Sequence, residues 1–293
     1  MHSQLDCGHI RPCDMWQAGA LIASMKDTMV RFAASNGRLS TLRAGAPDAP
    51  AVLLIHGLGW NALRLWKAQI APLVAAGWQV IAPDQRGTGL SEPLEAPVSI
   101  PDFADDLAAL LAEMDIDAPM LVGFSMGCMT AVDLALRPHV GAAGVVLACG
   151  GLRATADGSA ATEAMIAGAI ILGAAAFAAK QANAVFGTDY QARHPDKVEE
   201  FKRWRAGMDQ VSLHHAFRAP YGLDYEARLA DLSCPVAVIA AAQDAFLPLD
   251  ASKALAANAG APLHVIADSG HMATIEQPDA FNDALLSSLS SMR

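Results

Sequence analysis

The chain has 293 residues, 53% hydrophobic and 17% charged, with a net charge of −10. That apolar content supports a large packed core and argues against disorder. The negative balance argues against nucleic acid or an anionic membrane surface as a partner, because both need clustered Lys and Arg. Five cysteines (Cys7, Cys13, Cys128, Cys149 and Cys234) are odd in number and widely spread, and three fall in predicted core positions. This suits buried thiols in a reducing compartment better than a disulfide framework. No basic segment leads into an apolar one near the N-terminus, so the expected location is the cytoplasm.

In chain order, residues 1–28 read as an N-terminal extension, with Asp14 capping a helix from Met15 to Met25 whose apolar stripe must dock on this domain or on a second subunit. A homo-oligomer formed through that extension is the one macromolecular partnership the sequence suggests. Met29 to Arg43 reads as a hairpin with its turn at Asn36-Gly37. Short apolar runs then follow at Val52–Ile55, Gln79–Ala82, Met120–Gly123, Val145–Ala148, Val236–Ala240 and Leu263–Ile266. Helical patterns at Leu63–Ala76, Ile100–Met114, Cys128–Leu136 and Ala251–Ala257 separate most of them. Continuous apolar strands with intervening helices predict an α/β fold with a mostly parallel sheet covered on both faces.

The alternation breaks between about Gly151 and Arg228. The expected organisation is therefore a core of residues 29–151 and 229–293 with a helical cap, 152–228, over the strand ends. Within it, Ala164–Ala179 is an uncharged apolar run of sixteen residues. It is shorter than the roughly 20 residues that span a bilayer, so it reads as a buried or cap helix. The charged stretch Lys197–Arg205 reads as a solvated helix face.

Gly123-Phe124-Ser125-Met126-Gly127 closes one apolar run and opens a helical one. A serine on such a strand-to-helix turn is held out of the fold beside backbone N–H groups, and flanking glycines remove side chains that would clash with the neighbouring strand and helix. An acyl-transfer serine needs a base and a carboxylate to orient that base. His271 follows the last predicted strand, and Asp244 follows the Val236–Ala240 strand. Ser125, Asp244 and His271 thus stand in the order nucleophile, acid, base, each on a loop after a different strand. His56-Gly57-Leu58-Gly59 ends the first long apolar strand, and its glycines allow the Leu58 N–H to join that of Met126 as a two-donor oxyanion hole.

These motifs, with Asp84-Gln85-Arg86-Gly87-Thr88-Gly89-Leu90-Ser91 and Gly270-His271, resemble those of α/β-hydrolase-fold enzymes of the Ser-His-Asp type. Within that superfamily the arrangement is similar to small bacterial carboxylesterases and the enol-lactonase branch. The likeness runs from about Met29 to Leu289 and weakens across Gly151–Arg228. One departure is Cys128, where many relatives have a second glycine; only slightly tighter helix–strand packing is expected from it. The resemblance implies a serine hydrolase acting through an acyl-enzyme on a small-molecule ester with an apolar portion, with no metal or organic cofactor. Lactone hydrolysis is the nearest variant. Carbon–carbon bond hydrolysis or lyase chemistry and a slow-turnover ligand sensor are the other classes.

The remaining candidates have plainer readings. Asp268 lies nearer His271 in sequence, but so short a separation places it on the strand end facing away. His56 is expected to hydrogen-bond loop backbone, and Asp84 with Arg86 to brace their loop as an internal ion pair. His214 and His215, with His194, read as solvated or packed residues, because adjacent histidines rarely converge on one ion and no cysteine or carboxylate falls at ligand spacing. Trp66 reads as core, whereas Trp60 is a candidate for lining the substrate pocket.

Overall fold

The computed structural model describes residues 29–34 and 37–293. The predicted extension, its Met15–Met25 helix, Cys7 and Cys13 therefore lie outside the described residues. Two strands open the fold, β1 (Met29–Ala34) and β2 (Gly37–Ala44), paired antiparallel as the hairpin reading expects. Gly37 pairs with Ala34, so it belongs to β2; the connection, positions 35 and 36, is outside the described residues.

The elements that follow are β3 (Ala51–Ile55), α1 (Ala62–Ala75), β4 (Gln79–Pro83), α2 (Ile100–Glu113), β5 (Met120–Phe124), α3 (Gly127–Ala135) and β6 (Gly144–Ala148). After a helical segment come β7 (Val236–Ala241), α9 (Leu249–Asn258), β8 (Leu263–Ile266), α10 (Ala273–Glu276) and α11 (Pro278–Ser291). The intervening helices are α4 (Ala156–Leu172), α5 (Ala174–Val185), α6 (Thr188–Arg193), α7 (Pro195–Ala206) and α8 (Gln210–Phe217).

Among the described residues eight strands form one sheet in the order β1-β2-β4-β3-β5-β6-β7-β8, parallel from β4 to β8 and antiparallel at β1 and β2. β3 to β6 are buried along their whole length because helices cover both faces. Alternate residues feed opposite layers: Val52, Leu54, Val122 and Phe124 pack with Trp66, Leu73 and Phe281. Leu53, Ile55 and Leu121 pack with Phe103, Leu107 and Val132 on the other side. Period two in the strands and the 3.6-residue repeat in the helices produce this sandwich. Ser99 starts α2 with a capping box, its side chain engaging Asp102 reciprocally.

Two expectations need correction. Ala164–Ala179 is not one helix: Gly173, at φ +81°, ends α4 and starts α5, and Ile170, Ile171 and Leu172 are exposed at the break. Only glycine adopts that conformation cheaply, so the apolar run bends where its composition alone shows no boundary. Asp84 and Arg86 do not pair. Buried Asp84 accepts the N–H groups of Ala62 and Leu90 at 2.8 and 3.0 Å, which anchors the start of α1, while Arg86 pairs with Asp106 at 2.5 Å. Among the described residues no helix is long and apolar enough to cross a membrane.

Candidate active site

The connections after β3, β5, β7 and β8 all emerge at the carboxyl edge of the sheet. The chain passes from β3 to β4 on one side and returns to β5 on the other, so the β3–β5 boundary is a topological switch point. Ile55 pairs with Gly123 there, which sets His56-Gly57-Leu58 beside the turn that carries Ser125.

Ser125 sits between β5 and α3 at φ +54°, a left-handed conformation that costs a non-glycine residue roughly 1–2 kcal/mol. Its neighbours allow the turn. A Cβ at Gly123 would lie 2.6 Å from Cys128 Cα, and one at Gly127 would lie 2.5 Å from the Ile55 carbonyl oxygen. Both glycines are required by close backbone approach, on the helix and strand sides that the motif predicts. Cys128 is fully buried, its Sγ 3.2 Å from the Gly123 carbonyl, and burial pushes the thiol up to about 12. It is an inert packing residue.

The three residues separated in sequence meet. His271 Nε2 is 3.1 Å from Ser125 Oγ, and His271 Nδ1 is 2.8 Å from Asp244 Oδ2. The other carboxylate oxygen of Asp244 accepts the N–H groups of Phe246 and Leu247 at 2.8 and 3.0 Å. Because Oδ2 is acceptor-only, Nδ1 carries the imidazole proton and Nε2 is left to accept from the serine hydroxyl. Asp244 and His271 are buried while Ser125 is partly open. Phe124 and Phe246 flank the imidazole, with ring centroids 5.4 and 5.1 Å away. Asp268 is exposed, with its backbone carbonyl accepting from Gln277.

A fourth side chain, which no motif marks, fixes the histidine loop. Buried Glu276 accepts the N–H of Gly270 at 3.0 Å and that of Met272 at 3.2 Å, the residues on either side of His271. It also accepts the N–H of Gly187, at the start of α6, at 3.1 Å. Burial raises its pKa, and the three N–H groups oppose that rise. Glu276→Gln replaces one acceptor oxygen with an amide that meets a backbone N–H head on. The expected cost is about 1–3 kcal/mol in urea unfolding, with a kcat loss larger than any change in KM. An unchanged midpoint and unchanged kcat would show that the carboxylate does not hold the loop.

On the opposite flank the turn Gly57–Trp60 is closed by a Trp60 N–H to Gly57 carbonyl bond of 3.2 Å. Among the described residues, neither the Leu58 nor the Met126 N–H donates to a protein acceptor. The Leu58 side chain packs on Ile166, Phe177, Leu213 and Phe217 from α4, α5 and α8. Trp60 is buried, stacked on Phe201 at 5.3 Å and tilted against Trp204 at 5.2 Å, so its ring ties this turn to α7. Trp66 is fully buried.

His56 holds the turn from below. Its Nε2 accepts the Gln85 N–H at 2.9 Å, which leaves the proton on Nδ1, bonded to the Gly57 carbonyl at 2.8 Å. Burial pulls its pKa down from 6.5 to about 4. The unfolded chain therefore binds a proton on this histidine between about pH 6.5 and 4 that the folded chain refuses. Its contribution is complete above that window and is lost as pH falls through it, a total on the order of 3 kcal/mol. In urea titrations at about pH 7 and about pH 4, wild type should lose roughly that much more stability than His56→Gln. Parallel losses in the two proteins would rule the account out.

A parallel sheet wrapped by helices, with a strained serine turn at its switch point, defines a class. The chain belongs to the alpha/beta hydrolase family, whose sequence model matches residues 52–284. It is 31% identical over 249 residues to the "Putative carbamate hydrolase RutD" of Variovorax paradoxus, an overlap of 83% of this chain and 92% of that protein. Among solved structures, the enol-lactonase from Burkholderia xenovorans superposes with a TM-score of 0.82 at 25% identity, covering 89% of this chain and all of that one. A thermophilic esterase from Thermogutta terrifontis gives the same TM-score at 24% identity, covering 90% of this chain and 98% of that one, a likeness of fold. The protein is thus a hydrolase of this family.

Proposed function

We propose that the protein is a serine hydrolase that cleaves a carboxylic ester with an apolar portion through an acyl-enzyme. The observation that carries this reading is the unbroken series of contacts from the Ser125 hydroxyl through the His271 imidazole to the Asp244 carboxylate. In the proposed reaction, His271 Nε2 takes the hydroxyl proton as Ser125 Oγ attacks the ester carbonyl. The oxyanion is received by the N–H groups of Leu58 and Met126, each worth roughly 10²–10³ in turnover. His271 then protonates the leaving alkoxide, and the alcohol departs. Water enters and attacks the acyl carbon as it gives a proton to Nε2; the C–Oγ bond then breaks, the acid leaves, and His271 returns that proton to Ser125 Oγ. Asp244 keeps the imidazole in the right tautomer and stabilises its charged form. A lactone is opened by the same steps with the alcohol still tethered.

The relative from Variovorax paradoxus supports a second reading, a carbamate as substrate. Nitrogen donation makes a carbamate carbonyl less electrophilic, so a carbamoyl-serine hydrolyses more slowly than an acyl-serine. The test is steady-state release from p-nitrophenyl butyrate, a lactone series and a p-nitrophenyl carbamate, each with wild type and Ser125→Ala. Continuous ester or lactone turnover that needs Ser125 supports the first reading. Sustained carbamate turnover that needs Ser125 and exceeds that on esters and lactones supports the second, and a burst with no steady turnover on anything would indicate a sensor.

A further inference from the structure

Lys197–Arg205 is a helix as expected, but its last residue is not solvated. In α7, Val198, Phe201 and Arg205 fall on one buried face, and Arg205 is 4% exposed. It is the only Lys or Arg that is buried between residues 39 and 293. Its Nε donates to Gln181 Oε1 at 2.6 Å, and its Nη1 donates to the Gly59 carbonyl and lies 3.5 Å from Met208 Sδ. All three partners are neutral. No carboxylate lies within ion-pair distance of the guanidinium among the described residues, and Nη2 has no protein acceptor there. The contrast with Arg86, Arg137 and Arg218 is plain, since each of those pairs with a carboxylate. Burial alone pulls the Arg205 pKa down to about 9, still charged at neutral pH.

An uncompensated buried charge is costly, and a neutral amide of similar reach could bond the Gly59 carbonyl without that cost. The place of the charge explains it. The guanidinium rests against Gly59 so closely that any Cβ there would overlap it. Gly59 is two residues from Gly57, whose own Cβ position lies 3.0 Å from Ser125 Cβ. Two residues of backbone span at most about 7 Å, so the cation stands beside the candidate oxyanion turn, within one small-molecule length of the serine.

We propose that Arg205 binds a carboxylate carried by the substrate, so that the preferred substrates are esters bearing a second, free acid group. This rests on the serine-hydrolase reading above and narrows its substrate class. The guanidinium edge left open by Gln181 and Gly59 would make a charge-assisted hydrogen bond to that group, and the apolar α4–α5–α8 cluster around Leu58 would face the carbon chain.

The experiment compares matched pairs. Monoethyl adipate against ethyl hexanoate places the carboxylate on the acyl side. Sodium 4-acetoxybutanoate against butyl acetate places it on the alcohol side. Wild type should favour the anionic member of one pair by about 10- to 100-fold in kcat/KM, mostly through KM, as a charge-assisted bond predicts. Arg205→Gln should bring that ratio to within about threefold of one, with Arg205→Lys between. A wild-type ratio at or below one for both pairs overturns the proposal, as does a ratio that Arg205→Gln leaves unchanged. If the glutamine variant does not fold, the wild-type ratios decide alone. If neither member of either pair is turned over, the ester-hydrolase reading has failed separately. Calorimetry of adipate and hexanoate with wild type then tests the anion site: selective adipate binding supports it, and equal or absent binding overturns it.

Discussion

Ser125→Ala is expected to lower steady-state hydrolysis of p-nitrophenyl butyrate by about 10⁴-fold or more, by analogy with serine triads in general. The variant removes the one atom that His271 Nε2 contacts at 3.1 Å and leaves the imidazole, its carboxylate partner and both free N–H groups in place. Alanine keeps the Cβ and so keeps the φ +54° strain, and little change in stability should accompany the loss. Ser125→Gly separates the two effects. It should be equally inactive yet more stable, by about 1 kcal/mol, because glycine adopts the left-handed conformation without the steric penalty. Turnover by the alanine variant within about tenfold of wild type would remove Ser125 as the nucleophile.

Asp244→Asn should cost nearly as much, about 10⁴-fold in kcat with KM little changed, for a reason visible in the loop. Asp244 Oδ1 already accepts two backbone N–H groups, from Phe246 and Leu247. An asparagine must keep its carbonyl oxygen on that side, which turns its NH2 toward His271 Nδ1. The imidazole then accepts at Nδ1 and carries its proton on Nε2, facing Ser125 with a hydrogen where a lone pair is needed. The fold should be preserved, since the two backbone bonds survive. Steady-state kinetics with a denaturation control provides the check; a drop smaller than about tenfold in a folded variant would mean that Asp244 does not set the tautomer.

Much of this arrangement is legible in the chain. The strands are short and uniformly apolar because they are covered on both faces, and they appear within a residue or two of where composition places them. Gly123 and Gly127 are informative because close backbone approach leaves glycine no substitute. Other features were not legible, for identifiable reasons. Glu276 works through three backbone N–H groups from two distant segments, and backbone donors leave no mark on side-chain pattern. Asp84 and Arg86 are close in sequence but face different elements, so proximity along the chain suggests a pair that does not form. Arg205 was visible in part: Val198, Phe201 and Arg205 share helical spacing, but charge density outweighs period in so polar a stretch.

By itself the amino-acid order determines the layered sheet and the serine, aspartate and histidine after three different strands, because local backbone chemistry and apolar periodicity act over a few residues. Only the tertiary structure decides which carboxylate meets which donor, where the apolar run bends, and that one arginine of a charged helix lies buried beside the Gly57–Trp60 turn. The Ser125–His271 and Gly59–Arg205 contacts each join residues 146 apart in sequence, beyond the reach of local pattern, and desolvation at such a contact changes what a charged side chain can do.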